Sequence, residues 1–447
     1  MTMQKQNSFG ASVIKIAVPV ALQCMLQASF SIVDQVMVGT IGSVSVAAVG
    51  FASKLSSLYG VVIGAVVSVA GILMAQYLGA DDAQEADRSF SWNLLIAMLI
   101  AALFTAVCLA FPTPLMRLYS KDDATVLVAS SYLRIVCIGF FGYAANLLIA
   151  TRMRCYEHAT LPLLFSIAAN ILNTLLNALL IFGKLGFPAM GANGAAIATV
   201  VSQLFNTLLL VIGMLVTDRK RNARFVFSLS LRKLNLRTYG SIFLPVLVIE
   251  FMWSLSENVY ASIYGHIGTL ESAAMTLTYP IQGLMIGAMS GLAQAAGILI
   301  GKELGSKAYD SAYRKAKKLM CYGLAGSVIL SAALVLLMRF YVEVYQVEPY
   351  VKQTAMQLLT VFALVSPVKV LNMILGGGIV KSGGKTRIMM GIELLGAWGF
   401  GVPLGLLGAY VWHLEIPYVY LILSMEECVR LLLTWIVFVR KKWMQTI

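Results

Sequence analysis

The sequence predicts an all-α integral membrane protein with twelve transmembrane helices in two pseudo-symmetric six-helix lobes. Three observations predict this class: the composition, a series of long apolar segments, and an internal repeat. Of the 447 residues, 59% are hydrophobic and 12% are charged, whereas an ordinary globular domain is about half apolar and a quarter charged. The composition therefore excludes a soluble enzyme and a disordered chain.

Twelve apolar segments are each long enough to cross a bilayer as a helix, which takes about 20 residues. They cover 11–38, 46–78, 90–111, 125–150, 161–183, 192–216, 239–264, 272–300, 319–338, 353–380, 388–410 and 416–438, and they are called spans 1 to 12 in this order. The sequence shows none of the short segments of alternating polarity that are typical of membrane β-barrels.

Lysine and arginine residues predict the orientation of these spans. The two termini and the even-numbered loops hold 23 of them, against 5 in the odd-numbered loops. Because basic loops stay on the cytoplasmic side, we expect both termini in the cytoplasm. The net charge of +13 then follows from topology and from attraction to the anionic lipid bilayer, so no nucleic-acid partner is expected.

An internal repeat relates the two halves of the chain at a constant offset, which aligns Val38 with Tyr264. Residues 38–79 match 264–305 at 12 of 42 positions, including four identities in a row at Ala70–Leu73 and Ala296–Leu299. Each half holds six spans, an even number, so both copies cross the membrane in the same direction. This is a 6+6 parallel repeat, and residues aligned by this offset are called equivalent.

The repeat predicts three regions: an N-lobe over 1–216, a cytoplasmic linker over 217–238 and a C-lobe over 239–447. Such repeats are typical of transporters that rock two lobes about a site near the membrane midplane. A duplication without transport is the less favoured alternative.

Span 1 carries Gln23, Gln27 and Asp34 at spacings that place them on one helix face. Ionisable groups at bilayer depth are functional by default, so Asp34 is the leading candidate for a cation-coupling residue. Its carboxylate can take up a proton or, when ionised, coordinate Na⁺. A structural ion pair with Lys54 is the alternative.

Span 5 carries Asn170, Asn173 and Asn177, again on one helix face. Three amides can line a site through their oxygens and NH₂ groups, or they can join neighbouring helices by hydrogen bonds, and both interpretations stay open.

Span 7 carries Glu250 and Glu257 on one face, and span 10 carries Lys369. An ion pair between Glu250 and Lys369 is one interpretation, and it would leave Glu257 as the freer acid. The predicted substrate-cavity residues are Gln23, Gln27, Asn170, Tyr143, Glu250, Glu257, Tyr260, Lys369 and Asn372.

Three further charged residues in the late spans are assigned to structure. Glu426 and Arg430 are one helical turn apart, so we expect them to pair on their own helix. Glu393 has no partner that the sequence identifies.

The sequence shows no nucleotide-binding loop, no serine-hydrolase elbow and no zinc-protease motif. Its six cysteines and three histidines are scattered singly. We therefore predict that the protein is not an enzyme, holds no metal and needs no cofactor besides a coupling ion, H⁺ or Na⁺. Without an ATPase domain, uphill transport must use an ion gradient.

Several motifs follow one another in a characteristic order. They are Val33-Asp34-Gln35, Val38-Gly39-Thr40-Ile41-Gly42, Gln76-Tyr77-Leu78-Gly79-Ala80, the stretch Gly191 to Thr199, and Val380 to Thr386. In this order, on a twelve-span repeat, the chain resembles the multidrug and toxic compound extrusion (MATE) transporters over nearly its whole length.

This resemblance implies cation-coupled export by lobe rocking, with the span-1 acid, here Asp34, as a coupling residue. Many members carry an Asn-x-x-x-Asp pair in span 5, where this chain has Asn173 and Asn177, so the second carboxylate is missing. Some members use acids in spans 7 and 10, but here neither Glu250 nor Glu257 is clearly in register and span 10 has no acid. The choice between H⁺ and Na⁺ stays open.

We therefore predict a secondary antiporter that exports small organic compounds, amphipathic or cationic, as a monomer in the cell membrane. A flippase for a lipid-linked saccharide, as in the same superfamily, is the alternative, and a clearly cationic cavity would favour it. A membrane-embedded enzyme or a channel is disfavoured by the missing motifs and the lobe repeat.

Overall fold

The computed structural model describes residues 9–220 and 236–446, which are helices joined by short connections. No strand occurs within these two ranges. Most of the predicted linker 217–238, and the N-terminal Lys5 counted in the orientation argument, lie outside the described residues.

The helices follow the predicted spans closely. In the first half they are α1 (Phe9–Gly39), α2 (Ser43–Gly79), α3 (Ala83–Ala110), α4 (Pro112–Arg117), α5 (Asp123–Val136), α6 (Gly139–Cys155), α7 (Thr160–Phe182) and α8 (Ala192–Lys220). In the second half they are α9 (Leu236–Ile267), α10 (Thr269–Gly305), α11 (Tyr309–Glu343), α12 (Pro349–Asn372), α13 (Thr386–Leu394), α14 (Val402–Leu406) and α15 (Ile416–Val439).

Ten described helical segments are long and apolar enough to cross a membrane, and α5 with α6, bent by 48° at their junction, supplies an eleventh. Helix α15 is 24 residues long but carries Glu426, Glu427 and Arg430 at its centre. Counting α15 gives the twelve predicted spans. The predicted all-α membrane fold is confirmed.

The sequence repeat is visible in the backbone. The equivalent helix starts are Ser43 and Thr269, Ala83 and Tyr309, Asp123 and Pro349, and Thr160 and Thr386. The turns after α2 and α10 also correspond, because Asp81 and Lys307 both adopt a φ of 59°, which is uncommon for a residue other than glycine. The two halves therefore share element boundaries and turn conformations.

Helix ends follow local sequence. Asp122 caps α5 by accepting a hydrogen bond from the Thr125 backbone N–H at 2.9 Å, which satisfies one of the free N–H groups of the first turn. Gly183 ends α7 with a φ of 67°, a left-handed conformation that glycine adopts at little cost.

Three stretches of the second half are π-helical: Met373–Val380, Leu395–Gly401 and Leu407–Val411. Such wider turns are frequent at functional sites. Glycines make room inside them, since a side chain at Gly396 would collide with Arg430 and one at Gly401 would collide with Glu426.

Contacts divide the chain into two compact units. One comprises Met1–Cys24, Ala75–Asp82 and Asn235–Ile447, and the other comprises Met25–Met74 and Ala83–Leu234. The boundaries between units fall inside α1 and α2, and the lobes inferred from the sequence stay a prediction.

Candidate coupling and substrate sites

The first half brings its predicted acid and two of its amides together. Asn177 Nδ2 donates to Asp34 Oδ1 at 2.8 Å, which joins α7 to α1. The end of the Asn173 amide lies 3.0 Å from the same carboxylate oxygen, and its NH₂ faces the carboxylate when the amide is oriented to satisfy both groups. Both asparagines are buried: Asn173 is 8% exposed and Asn177 is 2% exposed.

One oxygen at this site has no protein partner. The Asn177 Oδ1 atom is buried and accepts no hydrogen bond from the described residues, and such groups are rare in native proteins. Lys54 is exposed and forms no ion pair within the described ranges, so the alternative Asp34–Lys54 pair is not seen. Asp34 therefore has amide neighbours and an unused oxygen beside it.

The other polar residues predicted in the first half do not join this cluster. On α1, Gln23 is buried while Gln27 is exposed, so the predicted stripe does not share one environment. Asn170 is half-buried, and its backbone carbonyl accepts a hydrogen bond from Thr174. Tyr143 lies beside Tyr59, with 6.0 Å between ring centroids.

The second half encloses a cavity of about 560 Å³. All five residues predicted there from the second half line it: Glu250, Glu257, Tyr260, Lys369 and Asn372. Trp253, Tyr264 and several methionines complete much of the wall, a surface that adapts to varied apolar ligands.

The charges of the cavity pair differently from the sequence interpretation. Lys381 Nζ lies 3.4 Å from Glu250 Oε1. The sequence suggested Lys369 as the partner, because Lys381 lies one residue beyond the end of predicted span 10. The π-helical stretch before Lys381 extends the helix and turns this side chain into the cavity. Glu257 is exposed to the cavity and forms no ion pair with any described residue, as expected of the freer acid.

Arg430 organises a buried cluster that sequence reasoning recognised only in part. Its guanidinium contacts both carboxylate oxygens of Glu393 and lies 3.5 Å from Glu427 and 3.7 Å from Glu426. The expected Glu426–Arg430 pair is present. The missed partner, Glu393, is 37 residues away in the sequence, so helical spacing gave no signal for it.

The cluster continues to the cavity wall through further contacts. Lys369 Nζ lies 4.0 Å from Glu427, and Asn372 Nδ2 donates to Glu427 Oε2 at 2.8 Å. The hydroxyl of Tyr260 donates to Glu426. Tyr260, Lys369 and Asn372 thus face both the cavity and the cluster.

The cavity lining holds more carboxyl groups than basic groups. Its ionisable side chains, tyrosines aside, are Glu250, Glu257, Glu393, Glu426, Glu427, Lys369, Lys381 and Arg430, which is five carboxylates against three cations. Within the described ranges, no three His, Cys, Asp or Glu side chains are grouped to hold a metal ion.

Comparison with known proteins gives one consistent family. The family model MatE matches residues 19–179 and again 245–407, and the two matches begin at equivalent prolines, Pro19 and Pro245. The uncharacterized transporter YisQ of Bacillus subtilis is 22% identical over 98% of this chain and 92% of its own length. The multidrug resistance protein NorM of Vibrio vulnificus strain YJ016 is 24% identical over 92% and 91%.

Solved structures share the fold. A MOP superfamily transporter from Pyrococcus furiosus, described as having a binding pocket of reverse polarity, superposes with a TM-score of 0.88 at 17% identity, covering 98% of this chain and 97% of that one. The Vibrio cholerae MATE transporter VcmN in its bent form gives 0.86 at 17% identity, covering 97% of each chain.

Proposed function

This chain belongs to the MatE family of multi-pass membrane transporters, which are not enzymes, and we propose on that premise that it exports small organic compounds from the cytoplasm. The preferred substrates are amphipathic organic cations, and entry of H⁺ or Na⁺ drives their export. The observation that carries the substrate class is Glu257, an acid without a cationic partner among the described residues, in a cavity whose carboxyl groups outnumber its basic groups.

The wall around Glu257 suits a flat or alkylated cation. Tyr260, Tyr264, Tyr279 and Tyr420 all lie close enough to interact electrostatically with its carboxylate. A cation near aromatic faces gains about 0.5–2 kcal/mol from each favourable ring contact. The same acidic lining disfavours the alternative of a lipid-linked saccharide, because that substrate carries phosphate.

The coupling site is the Asp34 group. An external cation binds at Asp34, with Asn173 and Asn177 as supporting ligands, and favours return to the inward-facing arrangement. This works only if the cation binds the two arrangements with different affinity. The unused Asn177 oxygen supplies a second oxygen ligand for Na⁺, whereas H⁺ needs the carboxylate alone, so both ions stay candidates.

The setting follows the sequence arguments. The protein acts as a monomer in the cell membrane, with both termini in the cytoplasm as the basic loops indicate. The two lobes alternate access to a central site.

Reconstitution in liposomes tests this proposal. With an imposed pH or Na⁺ gradient, the wild type should release a fluorescent organic cation, and Asp34→Asn should reduce the gradient response at least tenfold. Glu257→Gln should weaken uptake of cations more than of neutral dyes. Asp123→Asn, which changes an exposed acid outside both sites, is the matched control. An undiminished gradient response in Asp34→Asn would overturn the coupling assignment.

A further variant separates the two ions. Asn177→Leu removes the unpaired oxygen but keeps Asp34, so Na⁺-driven export should be lost while H⁺-driven export persists. If Asn177→Leu loses neither Na⁺-driven nor H⁺-driven export, Asn177 takes no part in coupling. If no gradient moves any dye while a lipid-linked saccharide is translocated, the flippase function replaces the one proposed.

A further inference from the structure

The segment after α15, residues 440–446, folds back on the helix ends beside it, and we call it the strap. Its Trp443 is completely buried, although it stands close to the end of the sequence and follows two exposed lysines. The indole stacks on Phe438 with 5.7 Å between ring centroids, and Phe438 stacks on Tyr313 of α11 at 4.9 Å. A fully buried indole in a segment with exposed lysines indicates a specific docking place.

The strap contacts the turn after the π-helical stretch and the end of α2. Gly383 lies directly against the Trp443 carbonyl, where a side chain would collide with it. The Gln76 side chain of α2 donates to the carbonyl of Ser382 at 2.7 Å and to that of Gln445 at 3.3 Å. Gln76 is 4% exposed, so the donor of both hydrogen bonds is buried, and the bond to Ser382 is buried as a whole.

Gln76 also belongs to a helix crossing. The ends of α2 and α10 approach so closely that Gly79 lies against the backbone of Lys302 and Gly305 against the backbone of Gln76. Neither position has room for a side chain. The strap therefore holds a residue that is itself one contact of the crossing between α2 and α10.

We propose that the strap is a latch that keeps the ends of α2 and α10 together, and that its release is the step that lets them separate. The proposal depends on the proposed transport cycle only for the role of the latch. In that cycle, opening toward the cytoplasm requires helices of the two sequence halves to separate at their basic ends. A short segment held by one buried indole and the hydrogen bond from Gln76 to the Gln445 carbonyl can detach without unfolding either helix.

Distance measurement between spin labels tests the latch directly. Asp81→Cys and Lys307→Cys place labels on the exposed, equivalent turns just after α2 and α10. The accessible native cysteines Cys24, Cys321 and Cys428 are first replaced by serine. With the strap intact we expect one narrow distance distribution. Trp443→Ala, or deletion of everything after Val439, should at least triple the long-distance population.

Matched variants separate release from general damage. Trp443→Phe keeps an aromatic ring in the stack and should restore the narrow distribution, while Trp412→Ala, which removes an exposed tryptophan elsewhere, should leave it unchanged. If Trp443→Ala does not fold, Gln76→Leu removes the hydrogen bonds to Ser382 and Gln445 while leaving the sequence of the strap unchanged, and it should still widen the distribution. Unchanged distances in all strap variants would overturn the latch.

The labels report opening without substrate, so the two proposals can fail separately. Widened distances in a protein that moves no dye in liposomes would leave the latch standing and overturn the proposed export. Normal dye export, with label distances that do not change when the strap is released, would overturn the latch and leave the proposed export standing.

Discussion

The two halves share a backbone plan but place different chemistry at equivalent positions. Where the first half has Asp34, the second half has Tyr260. Asp34 faces two asparagines of α7, whereas the Tyr260 hydroxyl donates to Glu426 of α15. The duplication kept the helix, but the acid lies on that helix itself in the first half and on a partner helix, α15, in the second.

Glycines in the second half make this exchange possible. Asn170 and Asn173 of α7 correspond to Gly396 and Gly399 of the π-helical stretch. With no side chain at Gly396, Arg430 occupies that space. The first-half acid thus forms no ion pair with a described residue, whereas the second-half cluster contains its own cation, Arg430.

The last helices of the two halves, α8 and α15, correspond to each other at a slightly different sequence offset. The equivalent residues Asn146 and Asn372 donate to the backbone carbonyls of Gln203 and Glu427 respectively, at 3.2 and 2.6 Å. The neutral Gln203 therefore takes the position of Glu427. Three residues further along both helices, Asn206 takes the position of Arg430.

The largest expected effect is a difference in stability between variants of these two corresponding residues, Arg430 and Asn206. Arg430→Met leaves Glu393, Glu426 and Glu427 without their shared cation, and breaking a buried ion pair in this way costs roughly 3–5 kcal/mol. Thermal unfolding in detergent should show a large loss of stability. Asn206→Leu, the matched change in the first half, breaks no ion pair and removes a buried amide oxygen that has no partner among the described residues, so it should not cause a comparable loss. Equal losses in the two variants would contradict the contrast between the halves.

The second prediction concerns the crossing, where the halves should behave alike. Gly79→Ala and Gly305→Ala each force a methyl group against backbone, and such overpacking costs typically about 1–3 kcal/mol. We expect similar decreases in melting temperature for both. Gly50→Ala and Gly283→Ala, which have open space around the new methyl group, should show no decrease. Strongly unequal effects of the first pair would mean that the crossing is not symmetric.

The smallest effect compares two equivalent helix starts. Asp122 caps α5, and hydrogen bonds from the Thr125 hydroxyl and backbone N–H hold the pKa of Asp122 below its usual range. Glu348, at the equivalent start of α12, makes no side-chain cap. Asp122→Ala should lower the melting temperature slightly, and Glu348→Ala should not.

This cap difference depends on pH in a defined direction. Because the folded-state pKa of Asp122 is lowered, its stabilisation is present above the normal aspartate pKa of about 3.9 and is lost as the pH falls through the folded-state pKa. The melting temperatures of wild type and Asp122→Ala should therefore converge toward strongly acidic pH. A difference that persists there would assign the effect to packing.

Sequence reasoning predicted the fold because the bilayer imposes its own length and polarity on each span. Helix starts such as Ser43 and Thr269 lie within a few residues of the predicted limits. The grouping of Asn173 with Asn177 was also predictable, since spacing along α7 fixes which amides share a face, whereas their association with Asp34 of α1 followed from the family resemblance.

Contacts between distant segments could not be predicted from one sequence. Helical spacing says nothing about which helices are neighbours, so the Arg430–Glu393 contact had no sequence signal. Lys381 was placed in a loop because apolar length alone does not reveal that a π-helical stretch continues the helix. The docking of Trp443 depends on residues, such as Gln76, that stand in the opposite half of the chain.

The crossing of α2 and α10 has a consequence for the origin of the fold. Gly79 touches Lys302 while Gly305 touches Gln76, and the two members of one contact are the repeat equivalents of the two members of the other. This reciprocity is the signature of an isologous interface about a two-fold axis. Two separate six-helix chains could have met in the same way, so a symmetric homodimer is a sufficient ancestor, and fusion of its two copies needed only a linker.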